Sequence, residues 1–452
     1  MRVIVVGGGA AGFFGAIACA RANPLAQVKL FEAGSKPLAK VLISGGGRCN
    51  VTHACFDPAK LVEHYPRGGR EMRGALSRFQ PRDLVQWFEH ESVLLKTEAD
   101  GRMFPTTDDS STIADCLINA ARQAGVEIYT RSPVVDVQAN DHKFLLTLRS
   151  GQEVIGDRLL LATGGSPQGY QLAQQLGHEI IAPVPSLFTF NINDPKLHQL
   201  AGVSVEQVQA SIKALGTIDN SAIHAIHAIH NNSSTIALTQ ATNQINKQPQ
   251  PTRNKKTTNK KKPADLTQSG PLLITHWGMS GPAVLKLSAW GARFLSDRHY
   301  QAQLQINWLP NLNSDQIRQQ LLTTKQQFPK RQISSYCPFN LPKRLWQYLL
   351  MGVAIAADLR WADLAKTQIN QLITQLNSCE QTIAGKGVFK EEFVTCGGVS
   401  LKEVDFKTMQ SRICPDLFFA GEVLDIDGVT GGFNFQSAWT TAWLAGNAIA
   451  NL

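Results

Sequence analysis

The stretch Arg2-Val3-Ile4-Val5-Val6-Gly7-Gly8-Gly9-Ala10-Ala11-Gly12 decides the fold. Its β-branched, apolar opening predicts a buried strand over residues 1–6. The chain then turns at glycines, and an apolar run predicts a helix to about Ala22. A second strand is expected over Val28–Phe31, ending at the acid Glu32. Strand, glycine turn, helix, strand and acid form the context in which G-x-G-x-x-G marks a dinucleotide site. Gly7 permits the tight turn, Gly9 lets backbone approach a pyrophosphate, and Gly12 lets helix and strand pack closely. Ala10 and Ala11 open the helix, whose free N–H groups point at the phosphates. Glu32 is placed to accept hydrogen bonds from ribose hydroxyls.

Arg2, the apolar stretch and Ala18-Cys19-Ala20 also invite a signal-peptide reading. Five glycines between Gly7 and Gly15 make a poor signal core, and the strand-acid continuation has no place in one. No other run is long and apolar enough to span a bilayer. A soluble, cytoplasmic protein is expected.

A chain of 452 residues has room for about three domains, and 43% hydrophobic residues can fill a large core. The net charge of +9 is unevenly spread. Arg253, Lys255, Lys256, Lys260, Lys261 and Lys262 sit in one acid-free tract, which leaves only +3 for the remainder. Such a tract is either a solvated loop or an arm that contacts phosphates in a salt-sensitive way. The eight cysteines include no C-x-x-C pair, which argues against a zinc ribbon or an iron–sulfur site. In a cytosolic protein most are expected as reduced packing residues. His224, His227 and His230 recur at period three, but loop-like Asn231-Asn232-Ser233 follows and no carboxylate accompanies them. No metal site is predicted.

Further along, Leu42–Asn50 reads as a glycine-rich loop, and helical periodicity covers about 59–79 and 83–91. Ser110 or Ser111 is expected to cap a helix reaching Ala124. Strands are expected at 93–97, 126–129, 134–137 and 144–148, then a buried strand from Arg158 that ends at Thr163-Gly164-Gly165. Residues 1–182 thus form the N-terminal part of the dinucleotide domain. Residues 183–312 are strand-rich, with strands expected at 187–192, 203–215 and 234–239. Within them, residues 242–268 are too polar for a core and are expected as a mobile loop, with structure resuming at Gly270. Residues 313–385 read as helical, with Leu341-Pro342 at a helix start. Residues 386–452 return to α/β character and form the domain's C-terminal part. There one strand runs into Gly397-Gly398 and another into Gly421-Glu422, before Gly431-Gly432-Phe433-Asn434-Phe435 opens the last helix.

Two features favour FAD over NAD as the resident cofactor. A glycine-ended strand near the C-terminus, followed by an acid and a new helix, suits flavoproteins; the helix after Gly432 would aim its positive end at the flavin N1/C2=O edge. No second full G-x-G-x-x-G is present for a separate NAD(P)H domain, so a pyridine nucleotide would dock transiently.

The chain resembles the BaiN/RdsA-type NAD(P)/FAD-dependent oxidoreductases, the HI0933-like family, over nearly its whole length. The resemblance rests on Val5–Gly12, on Ser44-Gly45-Gly46-Gly47-Arg48-Cys49-Asn50-Val51-Thr52, on Gly101–Pro105, on Thr275-His276-Trp277-Gly278-Met279-Ser280-Gly281-Pro282, on Gly397–Val404 and on Phe419–Gly428 with Gly431–Gln436. It implies an α/β fold, with a Rossmann-like FAD/NAD(P)-binding domain split by an inserted β-barrel-like domain and a small helical domain. The expected cofactor contacts are Gly7, Gly9, Ala10, Ala11, Gly12, Glu32, Gly45, Gly46, Gly47, Arg48, Val135, Thr163, Gly164, Gly421, Glu422, Gly432, Phe433, Asn434 and Phe435. Ser166–Tyr170 is shorter than the family's usual loop, and Cys396 stands where alanine is usual.

The resemblance implies reduction of an activated C=C bond with electrons from NAD(P)H. The substrate would be uridine in 23S ribosomal RNA or a small unsaturated, steroid-like acid. Arg48, Cys49 and Asn50 are expected near the flavin ring, with Cys49 or a nearby acid as proton donor. The plainer reading of Cys49 is a packing residue in a tight loop, and that of Arg48 a surface ion pair. His276 and Trp277 are candidate substrate-wall residues, or else a strand-to-helix turn. The basic tract 253–262 is the candidate nucleic-acid contact. Two other classes stay open: a disulfide reductase using Cys49 and Cys55, although five residues separate them where such enzymes have four, and a non-enzymatic, FAD-stabilised RNA-binding or assembly protein.

Overall fold

The computed structural model describes residues 1–140, 142–213, 266–387 and 394–451. The first strand, Arg2–Val6, lies at the centre of a seven-stranded sheet because every residue from Val3 to Val6 is apolar and buried. Gln27–Phe31 and Glu127–Tyr129 extend the sheet on one side, in parallel. Arg158–Leu161 and Leu417–Phe419 extend it on the other, also in parallel, so two distant parts of the chain share one sheet. The antiparallel pieces Gln410–Ser411 and Val404–Asp405 finish that edge. Purely apolar strands of this kind need cover on both faces. The helix Ala10–Ala22 gives part of that cover and packs along the last helix, Phe433–Asn451. Phe14 meets Trp87 at 4.8 Å and Trp439 at 5.3 Å, edge to face. Each such pair contributes about 0.5–1.5 kcal/mol beyond the area it buries.

The second unit is a closed six-stranded barrel in the order Phe190–Ile192, Gly278–Ser280, Leu266–Thr275, Ser204–Lys213, Ala302–Asn307 and Cys379–Lys386. Its helices Ser314–Gln327, Lys343–Gly352 and Lys366–Asn377 share one apolar core with the barrel strands, in which Trp346 and Trp361 are fully buried. The first of these is closed by a capping box: Gln316 N donates to Asn313 Oδ1, and Asn313 N to Gln316 Oε1, both at 2.9 Å.

Several local expectations are corrected. Cys379–Lys386, read with the helical region, is the strand that closes the barrel between Ala302–Asn307 and Phe190–Ile192. Residues 266–269, expected before the start of regular structure at Gly270, belong to the strand Leu266–Thr275, because Ser204–Lys213 supplies a backbone partner in register, Ile212 opposite Leu266, for a segment polar on its outer face. Ile180–Ser186 is a strand despite Pro183 and Pro185, and pairs with Val394–Val399 outside the barrel. Asp109, not Ser110 or Ser111, caps the helix Ser110–Gln123: its carboxylate accepts from Ser111 N at 2.8 Å, while Ser110 Oγ donates to Leu42 O. The first half of the 42–50 loop is the end of a helix, Ala39–Gly47, that breaks at Ser44. The expected helix over 59–79 is three pieces, Pro58–Leu61, Val62–His64 and Gly69–Leu76, interrupted at Pro66 and Gly68. The His224/His227/His230 repeat, the expected strand 234–239 and the basic tract 253–262 lie outside the described residues.

Candidate cofactor and substrate site

The glycine turn after the first strand is set by close approach. A Cβ on Gly12 would lie 1.8 Å from Gly7 O, so no side chain fits between helix and strand there. A Cβ on Gly9 would meet nothing within 4 Å, which is the open space a pyrophosphate needs. The helix it opens has no side-chain cap and no acid in its first turn, so its N–H groups and positive end stay available to an anion. Glu32 holds the rim: it accepts from Gly8 N at 2.7 Å and Gly34 N at 2.6 Å. A carboxylate has about four lone-pair sites, so capacity for ribose hydroxyls remains.

The C-terminal half reaches the same place. A Cβ on Gly421 would sit 2.8 Å from Ala11 Cβ, which puts the strand-end glycine against the N-terminus of the first helix. Glu422 is fixed by Lys40 Nζ at 2.7 Å and Thr395 N at 2.8 Å, and a Cβ on Gly164 would lie 3.7 Å from its Oε2. Thr163 Oγ1 is buried without a partner, an acceptor or donor left for a ligand to satisfy. The Val135 carbonyl accepts from Gln168 Nε2 at 3.2 Å. These residues fit a dinucleotide.

The second glycine run meets the start of the last helix. Gly45, Gly46 and Gly47 are all left-handed, and Cβ atoms on Gly46 and Gly47 would meet nothing within 4 Å. Asn50 Oδ1 accepts from Gly432 N and its Nδ2 donates to Thr52 O, both at 3.0 Å. Asn434 bonds both backbone groups of Gly428, at 2.8 Å each, and Phe435 stacks on Trp439. The helix Phe433–Asn451 has no acid in its first turn, so its positive end suits the electron-rich edge of a reduced flavin.

The three expected catalytic residues are brought to this loop with different surroundings. Arg48 lies over the Phe104 ring at 4.1 Å and donates to Glu98 Oε1 at 2.6 Å, with Asp108 at 3.4 Å. Its charge is therefore met by this chain's own acids. Cys49 is fully buried, and burial pushes its thiol up to about 12, as expected of a packing residue. Cys55 is half-buried, and its thiol is also raised by burial. Both are free thiols. A disulfide reductase needs a low-pKa thiolate in an electropositive setting, and neither cysteine has one. His276 and Trp277 form the turn between two barrel strands. Trp277 Nε1 donates to Thr189 Oγ1 at 3.2 Å and its carbonyl accepts from Ile192 N at 3.0 Å, bonds that brace the barrel.

What the motif reading missed is a cluster beside Phe433. His64 stacks on its ring at 4.1 Å and His53 at 4.8 Å, and Tyr65 donates to its carbonyl at 2.8 Å. Burial lowers both imidazole pKa values, and Lys286, from the barrel's helix Pro282–Trp290, lowers them further. A signal was present: His53 and His64 follow closely on the Gly45–Asn50 loop. The partner Lys286 lies more than two hundred residues away and carries no motif. Next to this cluster Arg67 pairs with the fully buried Asp427. It also donates to Ala289 O at 2.6 Å and Ser186 Oγ at 3.3 Å, joining sheet domain and barrel. Among the described residues no group of acids, histidines and cysteines could hold a metal ion, and no helix is long and apolar enough to cross a membrane.

Comparison with known proteins agrees with this geometry. The family described as HI0933-like protein Rossmann domain matches residues 1–448. The chain is 30% identical to the ribosomal RNA dihydrouridine synthase of Haemophilus influenzae, covering 99% of this chain and 98% of that protein. It is 28% identical to the Escherichia coli protein of the same name, covering 97% and 96%. It is also 26% identical to the 3-dehydro-bile acid delta(4,6)-reductase of Clostridium scindens, covering 99% of both. The chain belongs to the HI0933-like family and is an FAD-dependent oxidoreductase.

Proposed function

We propose that this protein reduces a ring C=C bond conjugated to a carbonyl, with uridine in 23S ribosomal RNA as its substrate and NAD(P)H as the electron source. One observation carries the reading: relatives whose names describe ring-bond reduction, of uridine and of a bile acid, align with at least 97% of this chain. The two relatives at 28% and 30% identity are the ribosomal RNA enzymes. The sequence also supplies six positive charges over 253–262 for phosphate contact.

FAD, when bound and reduced, supplies a hydride. The chain's own residues do the rest. The Gly7–Gly12 turn and Glu32 seat the dinucleotide end, and Thr163, Gly164, Gly421 and Glu422 enclose it from the other half of the chain. Gly45–Gly47, Asn50 and the helix opening at Phe433 frame the ring end. Cys49 packs beneath the loop and Arg48 stiffens it through Glu98. The bile-acid relative, at 26% identity over the same span, keeps a small unsaturated acid as the second reading.

The test is mass spectrometry of dihydrouridine in 23S rRNA from cells with and without the gene. Loss of a site, restored by re-expression, is expected. Unchanged rRNA, with turnover of an unsaturated ring acid by the purified protein, would assign the second reading.

A further inference from the structure

The side chains around Phe433 have a chemistry that the cofactor cradle does not use. Lys286 is half-buried on the barrel helix Pro282–Trp290, and among the described residues it has no carboxylate partner. His64 is half-buried at the end of a short 3-10 turn, and its ring nitrogens have no hydrogen-bond partner among the described residues. The His53 ring makes a single hydrogen bond, Nε2 to Asp100 O at 3.1 Å, and its Nδ1 makes none. The imidazoles lie 6.0 Å apart, both against the Phe433 ring, just beyond the Gly431-Gly432 turn that abuts Thr52. Arg67, three residues after His64, donates to Ala289 O at 2.6 Å on the helix that carries Lys286, which brings that helix beside the pair; the charged groups acting on it are Lys286, Glu63 from the same turn as His64, and Asp100 from the loop under His53. Burial and the lysine outweigh the acids, so the imidazoles are neutral at neutral pH. A cation and a neutral N–H donor, half-desolvated and unpaired, are what an oxygen acquiring negative charge requires.

We propose that Lys286 and His64, backed by His53, receive the carbonyl oxygen conjugated to the substrate's double bond and carry its charge during reduction, an inference that rests on the reductase reading above. Hydride delivered to the β-carbon forms a C–H bond and breaks the C=C π bond. That electron pair moves into an enolate whose charge lies on the carbonyl oxygen. Hydrogen bonds from Lys286 Nζ and a His64 N–H hold this oxyanion. A proton from solvent then reaches the α-carbon and the C=O is restored, while the reduced flavin that gave the hydride is left oxidised. The site draws one donor from each domain, so a substrate bound there would bridge the sheet domain and the barrel next to the Arg67–Asp427 pair.

A phenolate is a planar, unreactive enolate mimic, so para-cyanophenol titrated into the oxidised holoprotein tests the site without turnover. The flavin absorbance reports both binding and an intact fold. The wild type is expected to bind the phenolate in preference to the phenol. Lys286→Ala should weaken phenolate binding by about 10-fold or more, His64→Gln by several-fold, and Lys286→Arg should restore much of the loss. Equal affinity in wild type and Lys286→Ala, or no preference for the anion, overturns the proposal. Phenolate binding that depends on Lys286, in a protein that reduces neither rRNA uridine nor an unsaturated acid, keeps the site and removes the reductase reading. Normal dihydrouridine formation by Lys286→Ala keeps that reading and removes the site.

Discussion

The seven-stranded sheet and the six-stranded barrel are held together by opposite kinds of information. The sheet's centre carries its signal locally: an apolar run, a glycine turn and an apolar helix lie within the first 22 residues, although the partners they pack against, Arg158–Leu161 and Phe433–Asn451, come from far along the chain. The barrel is non-local. Its last strand, Cys379–Lys386, comes after three helices and pairs with Ala302–Asn307 and Phe190–Ile192. The difference shows why the cofactor end of the site can be read from motifs while the substrate end needs coordinates. The sheet domain supplies the cradle from segments that each carry their own glycine motif, and the barrel supplies Lys286 by topology.

The largest effect is expected in the glycine turn of the sheet. Gly12→Val would force a side chain into the 1.8 Å gap at Gly7 O. We expect a loss on the order of 3–5 kcal/mol and purified protein without flavin. A yellow, normally melting Gly12→Val protein would contradict the close-approach reading of the turn.

The joint between the two regions comes next. Arg67→Met leaves the Asp427 carboxylate fully buried without its partner, which costs about 3–5 kcal/mol. The double variant Arg67→Met/Asp427→Leu should recover most of this, because no unpaired charge remains. Thermal melts of both proteins check it; equal destabilisation in the two would mean that the pair's charge is not what joins the domains.

The pH dependence is a smaller effect. His178 is buried between Glu403, 3.0 Å from Nδ1, and Ser411, 2.9 Å from Nε2, yet burial outweighs Glu403 and lowers its pKa. His53 and His64 are lowered as well. The unfolded chain therefore binds more protons than the folded one below the ordinary histidine value of about 6.5. Stability should be full above that pH and decline as the pH falls below it. His178→Gln should flatten part of the slope, as read from melting temperatures across that range; an unchanged slope would assign it elsewhere.

Cys49→Ala is the smallest change. The thiol is packed and held protonated, so turnover should be unaffected and stability should fall by about 1 kcal/mol. A large loss of turnover with flavin still bound would return Cys49 to the role of proton donor.

Much of the sheet was legible because β-branched runs and glycines act over short distances. Val3–Val6, Gly7–Gly12 and Glu32 lie where the motif reading put them, and Glu32 has the further role of tying Gly8 and Gly34. The helix break at Pro66 and Gly68 was visible as composition, but its consequence was not: it turns Arg67 toward Asp427 and His64 toward Phe433. Arg48 illustrates the limit of motif reasoning. A loop arginine beside glycines suggests an anionic ligand, and only coordinates show Glu98 and Asp108 already facing it. His276 and Trp277 were read as a substrate wall or a strand-to-helix turn, and the bonds of Trp277 to Thr189 and Ile192 are internal to the barrel.

A single turnover tests reduction of ribosomal uridine without relying on cells. The purified holoprotein would be reduced with NAD(P)H without oxygen, then mixed with 23S rRNA from cells lacking the gene. The flavin colour is expected to return, and mass spectrometry to find one dihydrouridine per flavin reoxidised. Flavin that stays reduced, with rRNA and unsaturated ring acids alike unchanged, would contradict the reductase reading.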